Sequence, residues 1–60
     1  MTPRYDYCPD VDGTWAVLDL ISGDPAVVAG VEMVRMRLER AERVTELLNV
    51  RAARRRQGAG

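Results

Sequence analysis

The chain has 60 residues, with nine arginines, no lysine, nine acidic residues and zero net charge. That length holds one domain and buries only about 60% of its unfolded surface, so a lone core is marginal. One cysteine and no histidine exclude an internal disulfide, multi-cysteine zinc sites and histidine-driven catalysis, and no apolar run nears the roughly 20 residues of a membrane span.

The charge is unevenly placed. Residues 1–34 carry one arginine against six acids, and residues 35–60 carry eight arginines against three acids. The halves are therefore −5 and +5, which favours contact with a charged partner or with a second copy. With an internal disulfide and a multi-cysteine zinc site excluded, burial against a partner is the expected source of extra stability. The opening residues lack the apolar core of a signal peptide, so a cytoplasmic protein is expected.

Residues 1–13 are rich in Pro, Asp and Tyr and show no periodicity. They read as an extended arm docked through Tyr5 and Tyr7, ending at an Asp12-Gly13 turn. Residues 14–21, T-W-A-V-L-D-L-I, are strand formers between turn signals. Trp15, Val17, Asp19 and Ile21 share one pleat face, and Thr14, Ala16, Leu18 and Leu20 the other. Both faces are largely apolar, so cover is expected on both sides.

Ser22-Gly23-Asp24-Pro25 is a turn. Two readings follow. In one, 26–29 returns as a strand antiparallel to 14–21, and Gly30 ends it. In the other, Asp24 caps a single helix running from 25 to about 55. Val27, Val31, Val34, Leu38, Ala41, Thr45, Leu48 and Ala52 would then form a coiled-coil seam. Gly30, which costs about 1 kcal/mol inside a helix, and the valine-rich composition favour the hairpin.

Arg37–Val50 is the clearest amphipathic helix. Val34, Leu38, Ala41, Val44 and Leu48 follow one face, with Glu39, Arg40, Glu42, Arg43 and Glu46 opposite. Arg35–Glu39, Glu39–Arg43 and Arg43–Glu46 are spaced to pair, each adding a few tenths of a kcal/mol. Asn49 can close the helix, or the helix continues through Val50–Arg56.

The run W-A-V-L-D-L-I-S-G-D-P-A-V-V-A-G, followed by L-E-R-A-E-R-V-T-E-L-L-N, resembles small uncharacterised proteins of proteobacteria and their phages. The resemblance covers residues 14–49. It implies an α+β unit: a two-stranded antiparallel β-hairpin followed by one C-terminal amphipathic helix. It carries no activity or cofactor. In that organisation residues 1–13 are the arm, 14–50 the hairpin and helix, and 51–60 an arginine-rich tail.

Several residues invite a chemical reading. Asp10-Val11-Asp12-Gly13 matches the opening of a calcium loop, but position 12 of that loop is Ile21 where a bidentate Glu is required. A turn is expected instead. Cys8 has no histidine to activate it, and Asp6 and Asp10 flank it, so an inert thiol is expected. Asp19, among apolar residues, is expected to pair with an arginine or a backbone amide. Trp15 reads as a core residue or an interface anchor.

The sharpest functional candidate is Arg51, Arg54, Arg55 and Arg56. A cluster of this kind neutralises phosphates or docks on an acidic protein. No aromatics interleave to stack bases. The expected function is a non-enzymatic interaction protein without cofactors, such as a phage- or mobile-element-encoded inhibitor of a host complex. Nucleic-acid binding through the tail is the alternative. A homodimer would bury Trp15, Leu18, Leu20, Val27, Leu47 and Leu48.

Overall fold

A computed structural model of the chain describes the backbone of residues 3–58 and the side chains of residues 3–55. The elements are β1 (Tyr5–Pro9), a 3₁₀ turn (Val11–Gly13), β2 (Trp15–Asp19), β3 (Val27–Val28), β4 (Val31–Glu32) and α1 (Leu38–Gly58). The α+β class is as expected: an antiparallel hairpin, a second small sheet and one C-terminal helix.

The hairpin uses a different pair of strands from the one expected. β1 and β2 pair antiparallel, from Tyr5 opposite Asp19 to Pro9 opposite Trp15. Residues 5–9, read from the sequence as part of an arm, are thus a strand. The turn at Asp10–Thr14 brings them together. Asp10 accepts from the Val11 amide, and the Asp10 amide donates to the Thr14 carbonyl at 2.8 Å. Asp12 and Gly13 both adopt left-handed backbone there.

β2 is the centre of a wider arrangement. Its odd-numbered residues bond on the side away from β1. The Asp19 amide donates to Asp24, the Val17 amide to Met33, and the Trp15 amide to Met36. Ala26 and Met36 donate back to Val17 and Trp15. The third strand position is therefore filled by two separate pieces, around Pro25–Ala26 and Met33–Met36. Between them β3 and β4 leave the sheet as a small hairpin of their own. The return of the chain antiparallel to β2 occurs, but it lasts only to Ala26. Residues 27–28 pair with 31–32 instead.

These bonds also exclude the continuous helix from residue 25. Asp24, Ala26, Met33 and Met36 bond to β2 through their backbone, residues 27–28 pair with 31–32, and Ala29, Gly30 and Arg35 hold left-handed backbone that no α-helix accepts. The helix starts at Leu38. It runs through Asn49, so Asn49 does not close it.

The core is small. Val17, Ala26, Met36 and Ala41 are buried, with Tyr5, Trp15, Met33, Val44 and Leu48 packed around them. Val17, at 0% exposure, is the centre. α1 covers the face of β1 and β2 that carries Tyr5 and Val17. Leu18 and Cys8, on the alternate face, are half-buried. Among the described residues no helix is long and apolar enough to cross a membrane.

Candidate functional site

The helix presents three different surfaces. At about 100° per residue, Ala41, Thr45, Leu48 and Ala52 fall on the side against the sheet. Glu39, Glu42 and Glu46 fall on one flank. Arg40, Val44, Leu47, Arg51 and Arg55 fall on the other. Glu42 and Glu46 thus lie on the flank opposite Arg40, Arg51 and Arg55, while Arg43 and Arg54 fall between the two, next to Glu39. Among the described residues, none of these charges lies within ion-pair distance of another. The single salt bridge joins Arg4 to Asp19 at 3.0 Å. The pairs expected at Arg35–Glu39, Glu39–Arg43 and Arg43–Glu46 do not close. Arg35 lies before the helix, where spacing by turns has no meaning.

The basic flank faces the β3–β4 hairpin across a groove. Val28, Met33, Val44, Leu47 and Leu48 form its apolar floor, with Arg40 and Arg51 on the rim, around a cavity of about 260 Å³. A second cavity of about 230 Å³ shares Val28, Leu48 and Arg51 and adds Arg4, Tyr5 and Arg55. A third depression, lined by α1 alone through Glu39, Arg40, Arg43, Val44 and Leu47, adjoins the groove toward the start of the helix. The part walled by both α1 and the β3–β4 hairpin runs from Arg40 to Arg55, about 22 Å at 1.5 Å per residue.

The second wall has a local cause. β3 and β4 are joined by Ala29 and Gly30, both in left-handed backbone (φ 52° and 78°), the geometry of a tight two-residue hairpin turn. The turn lifts Val27 and Val31 off the body, leaving them 62% and 58% exposed. Leu47, which shares its cavity with Val28 and Met33, is 57% exposed.

The anticipated contact residues are spread over three regions. Arg51, Arg55, Val27, Leu47 and Leu48 line the groove. Arg54 is exposed, and the Arg56 side chain lies outside the described residues. Trp15 is half-buried against the core, with the Tyr7 ring edge-on at 5.9 Å. Leu18 sits on the sheet face away from the helix. Leu20, 49% exposed, stands with the exposed Ile21 on the turn after β2. Arg4, Val28, Met33, Arg40 and Val44 were not anticipated as contact residues. A helical projection that separates the two charge signs would have found Arg40 and Val44.

Arg4 is committed on three sides. It forks onto both oxygens of Asp19 and its guanidinium carbon lies 5.2 Å from the Tyr5 ring centre. That pair, with the Ile21 amide, holds the Asp19 carboxyl below the usual range. Asp19 is therefore bound to an arginine and a backbone amide, as expected. Asp10 is also held low, by the Val11 and then the Arg35 amide. Its carboxylate ties the turn after β1 to the segment before α1. Among the described residues no three acidic, cysteine or histidine side chains gather to hold a metal ion.

No family model matches the chain, and comparison with curated proteins and with solved structures found no significant match.

Proposed function

We propose that this protein is a non-enzymatic interaction module that docks on another macromolecule through the groove between α1 and the β3–β4 hairpin. The observation that carries the reading is the exposure of Leu47 and Val27 beside an apolar lining of Val28, Met33, Val44 and Leu48, with arginines next to it. A contiguous apolar patch rimmed by polar groups is the usual mark of a docking surface. The polar lining is made of guanidiniums, one phenol and one carboxylate. These are binding groups, and no nucleophile stands beside a base. An inhibitor of a host complex carried by a phage would be one protein of this kind.

Binding to nucleic acid through Arg51, Arg54 and Arg55 is the competing reading. An apolar floor offers phosphates nothing, which favours a protein partner.

Site-specific photocross-linking in cells tests the docking reading. A cross-linker at Leu47 should give discrete adducts, and one at Glu42, on the acidic flank, should give none. Absence of adducts from position 47 would remove the reading.

A further inference from the structure

We propose that the groove receives an acidic amphipathic helix of about four turns from a partner protein. This rests on the docking reading above and adds the chemistry and conformation of the partner.

The charge argument comes first. Arg40, Arg51 and Arg55 sit on the groove flank of α1, Arg43 borders its upper end, and Glu39 is the one acid in the lining. The other glutamates of the helix, Glu42 and Glu46, are turned to the far flank. Such a rim attracts carboxylates and repels basic segments. Among the described residues Arg40, Arg51 and Arg55 meet no acid within 4.0 Å, which leaves their donors to a partner.

The conformation follows from the sheet edges. An extended peptide needs an open strand edge to add to. The register of β1 turns Tyr5, Tyr7 and Pro9 outward, because Asp10 and Arg4 at its two ends bond inward across the hairpin. The outward groups of Tyr5 are held by the Asn49 side chain, the Tyr7 amide donates to Asp6, and Pro9 has no amide. The other edge of β2 is filled by 24–36. β3 and β4 have two residues each. Among the described residues no strand longer than two residues offers a free amide along its edge, whereas Val44, Leu47, Leu48 and Arg51 repeat at the three- and four-residue steps that receive a second helix.

A second copy fits less well. Pairing two α1 helices antiparallel about Leu47 sets Arg43 against Arg51 and Arg40 against Arg54. These two like-charge pairs, each made twice by symmetry, outweigh the one opposite-charge pair the arrangement offers, Glu39 with Arg55.

The test uses the isotopically labelled full chain and three synthetic 16-residue peptides, read by amide chemical shifts. One has leucines at helical spacing with glutamates between. The second replaces each Glu by Lys. The third carries a central proline in the Glu peptide. The Glu peptide should move the amides of Val28, Met33, Val44, Leu47 and Arg51. It should bind at least about tenfold tighter than the Lys peptide, and the proline should abolish binding. The exposed double variant Arg40→Glu/Arg51→Glu should weaken it by about tenfold or more.

Equal binding of the Lys peptide, or undiminished binding of the proline peptide, overturns the inference. So does displacement of the Glu peptide by duplex DNA. Sedimentation showing a dimer that Leu47→Glu dissolves would make a second copy the occupant. In those last two cases the groove remains a docking surface and only the acidic helix is lost. Failure of cross-linking from Leu47 would instead remove the docking reading itself.

Discussion

The side-chain amide of Asn49 pairs with the backbone of Tyr5 as a neighbouring strand would. Its Oδ1 accepts from the Tyr5 amide at 2.8 Å, and its Nδ2 donates to the Tyr5 carbonyl at 3.0 Å. One residue in the middle of α1 thereby fixes the helix to the edge of the sheet and closes that edge. The two partners are 44 residues apart in sequence.

Replacing Asn49 by alanine removes both bonds and leaves two half-buried backbone groups without partners. At about 1 kcal/mol each, the loss is about 2 kcal/mol. In a domain this small that lowers Tm by roughly 8–16 °C. Asn49→Asp keeps the acceptor but faces a carboxylate toward a carbonyl, so it should be no better than alanine. Urea denaturation measures the loss. Hydrogen exchange should show the Tyr5 amide protected in the parent and open in Asn49→Ala. The reopened edge should also raise self-association at high concentration.

Acid should weaken the fold through two carboxylates. Asp19 is held below its usual range by the Arg4 guanidinium and then by the Ile21 amide, and Asp10 by the Val11 and Arg35 amides. Each group binds protons less readily folded than unfolded. Its contribution is therefore complete above the unfolded value of about 3.9 and is lost as pH falls through the lower folded value. Urea midpoints should be flat from neutral pH down to about 4 and fall below that. The double variant Asp10→Asn/Asp19→Asn should start less stable and decline more gently. Parallel curves for the two proteins would contradict this origin of the acid sensitivity.

The parts of this architecture that were legible in the sequence are those set by local chemistry. Leu38, Ala41, Val44 and Leu48 announce the helix because a 3.6-residue period needs no knowledge of the partner surface. Ser22-Gly23-Asp24-Pro25 announces its turn for the same reason. Asp19 was read as a paired acid, and it is one. β1 was hidden. Its apolar content is two tyrosines and a cysteine, and its strand state depends on the pairing across Asp10–Thr14. The 26–36 segment was ambiguous because its valines favour a strand while their four- and three-residue spacing fits a coiled-coil seam. The decision came from Ala29 and Arg35 entering left-handed backbone, which neither residue type announces. The role of Asn49 depends on a contact with Tyr5 far away in sequence. The groove was half legible: Leu47, Leu48, Arg51 and Arg55 stood out, but its second wall depends on where the β3–β4 turn points.

Thr45 carries an avoidable cost. It is 7% exposed, and its hydroxyl oxygen has no hydrogen-bond partner. It stands on the side of α1 that meets the sheet, beside Ala41 and Leu48. Valine has nearly the same shape and no polar atom. Thr45→Val should therefore stabilise the protein by about 1–2 kcal/mol. Thr45→Ser keeps the hydroxyl and removes a methyl, so it should destabilise by about 1 kcal/mol. Thermal melts of the two variants should move in opposite directions. If Thr45→Val is destabilised, the hydroxyl has a partner after all.

The β3–β4 turn offers a sharper case, because backbone conformation alone should give two adjacent substitutions opposite signs. Ala29 holds φ 52° and Gly30 φ 78° between strands paired Val28 to Val31. A residue with a Cβ loses roughly 1–2 kcal/mol in that region, and asparagine recovers part of it through local hydrogen bonds. Ala29→Asn should therefore stabilise by about 1 kcal/mol. At Gly30 an added Cβ would meet nothing within 4 Å, so space is not limiting. Gly30→Ala should still destabilise by about 1 kcal/mol, because the backbone conformation alone resists it. Differential calorimetry should find shifts of roughly 4–8 °C, upward for the first and downward for the second. Matching shifts of one sign would mean that the turn relaxes out of its left-handed form. The wall that carries Val27 and Val28 would then no longer be held where the groove requires it.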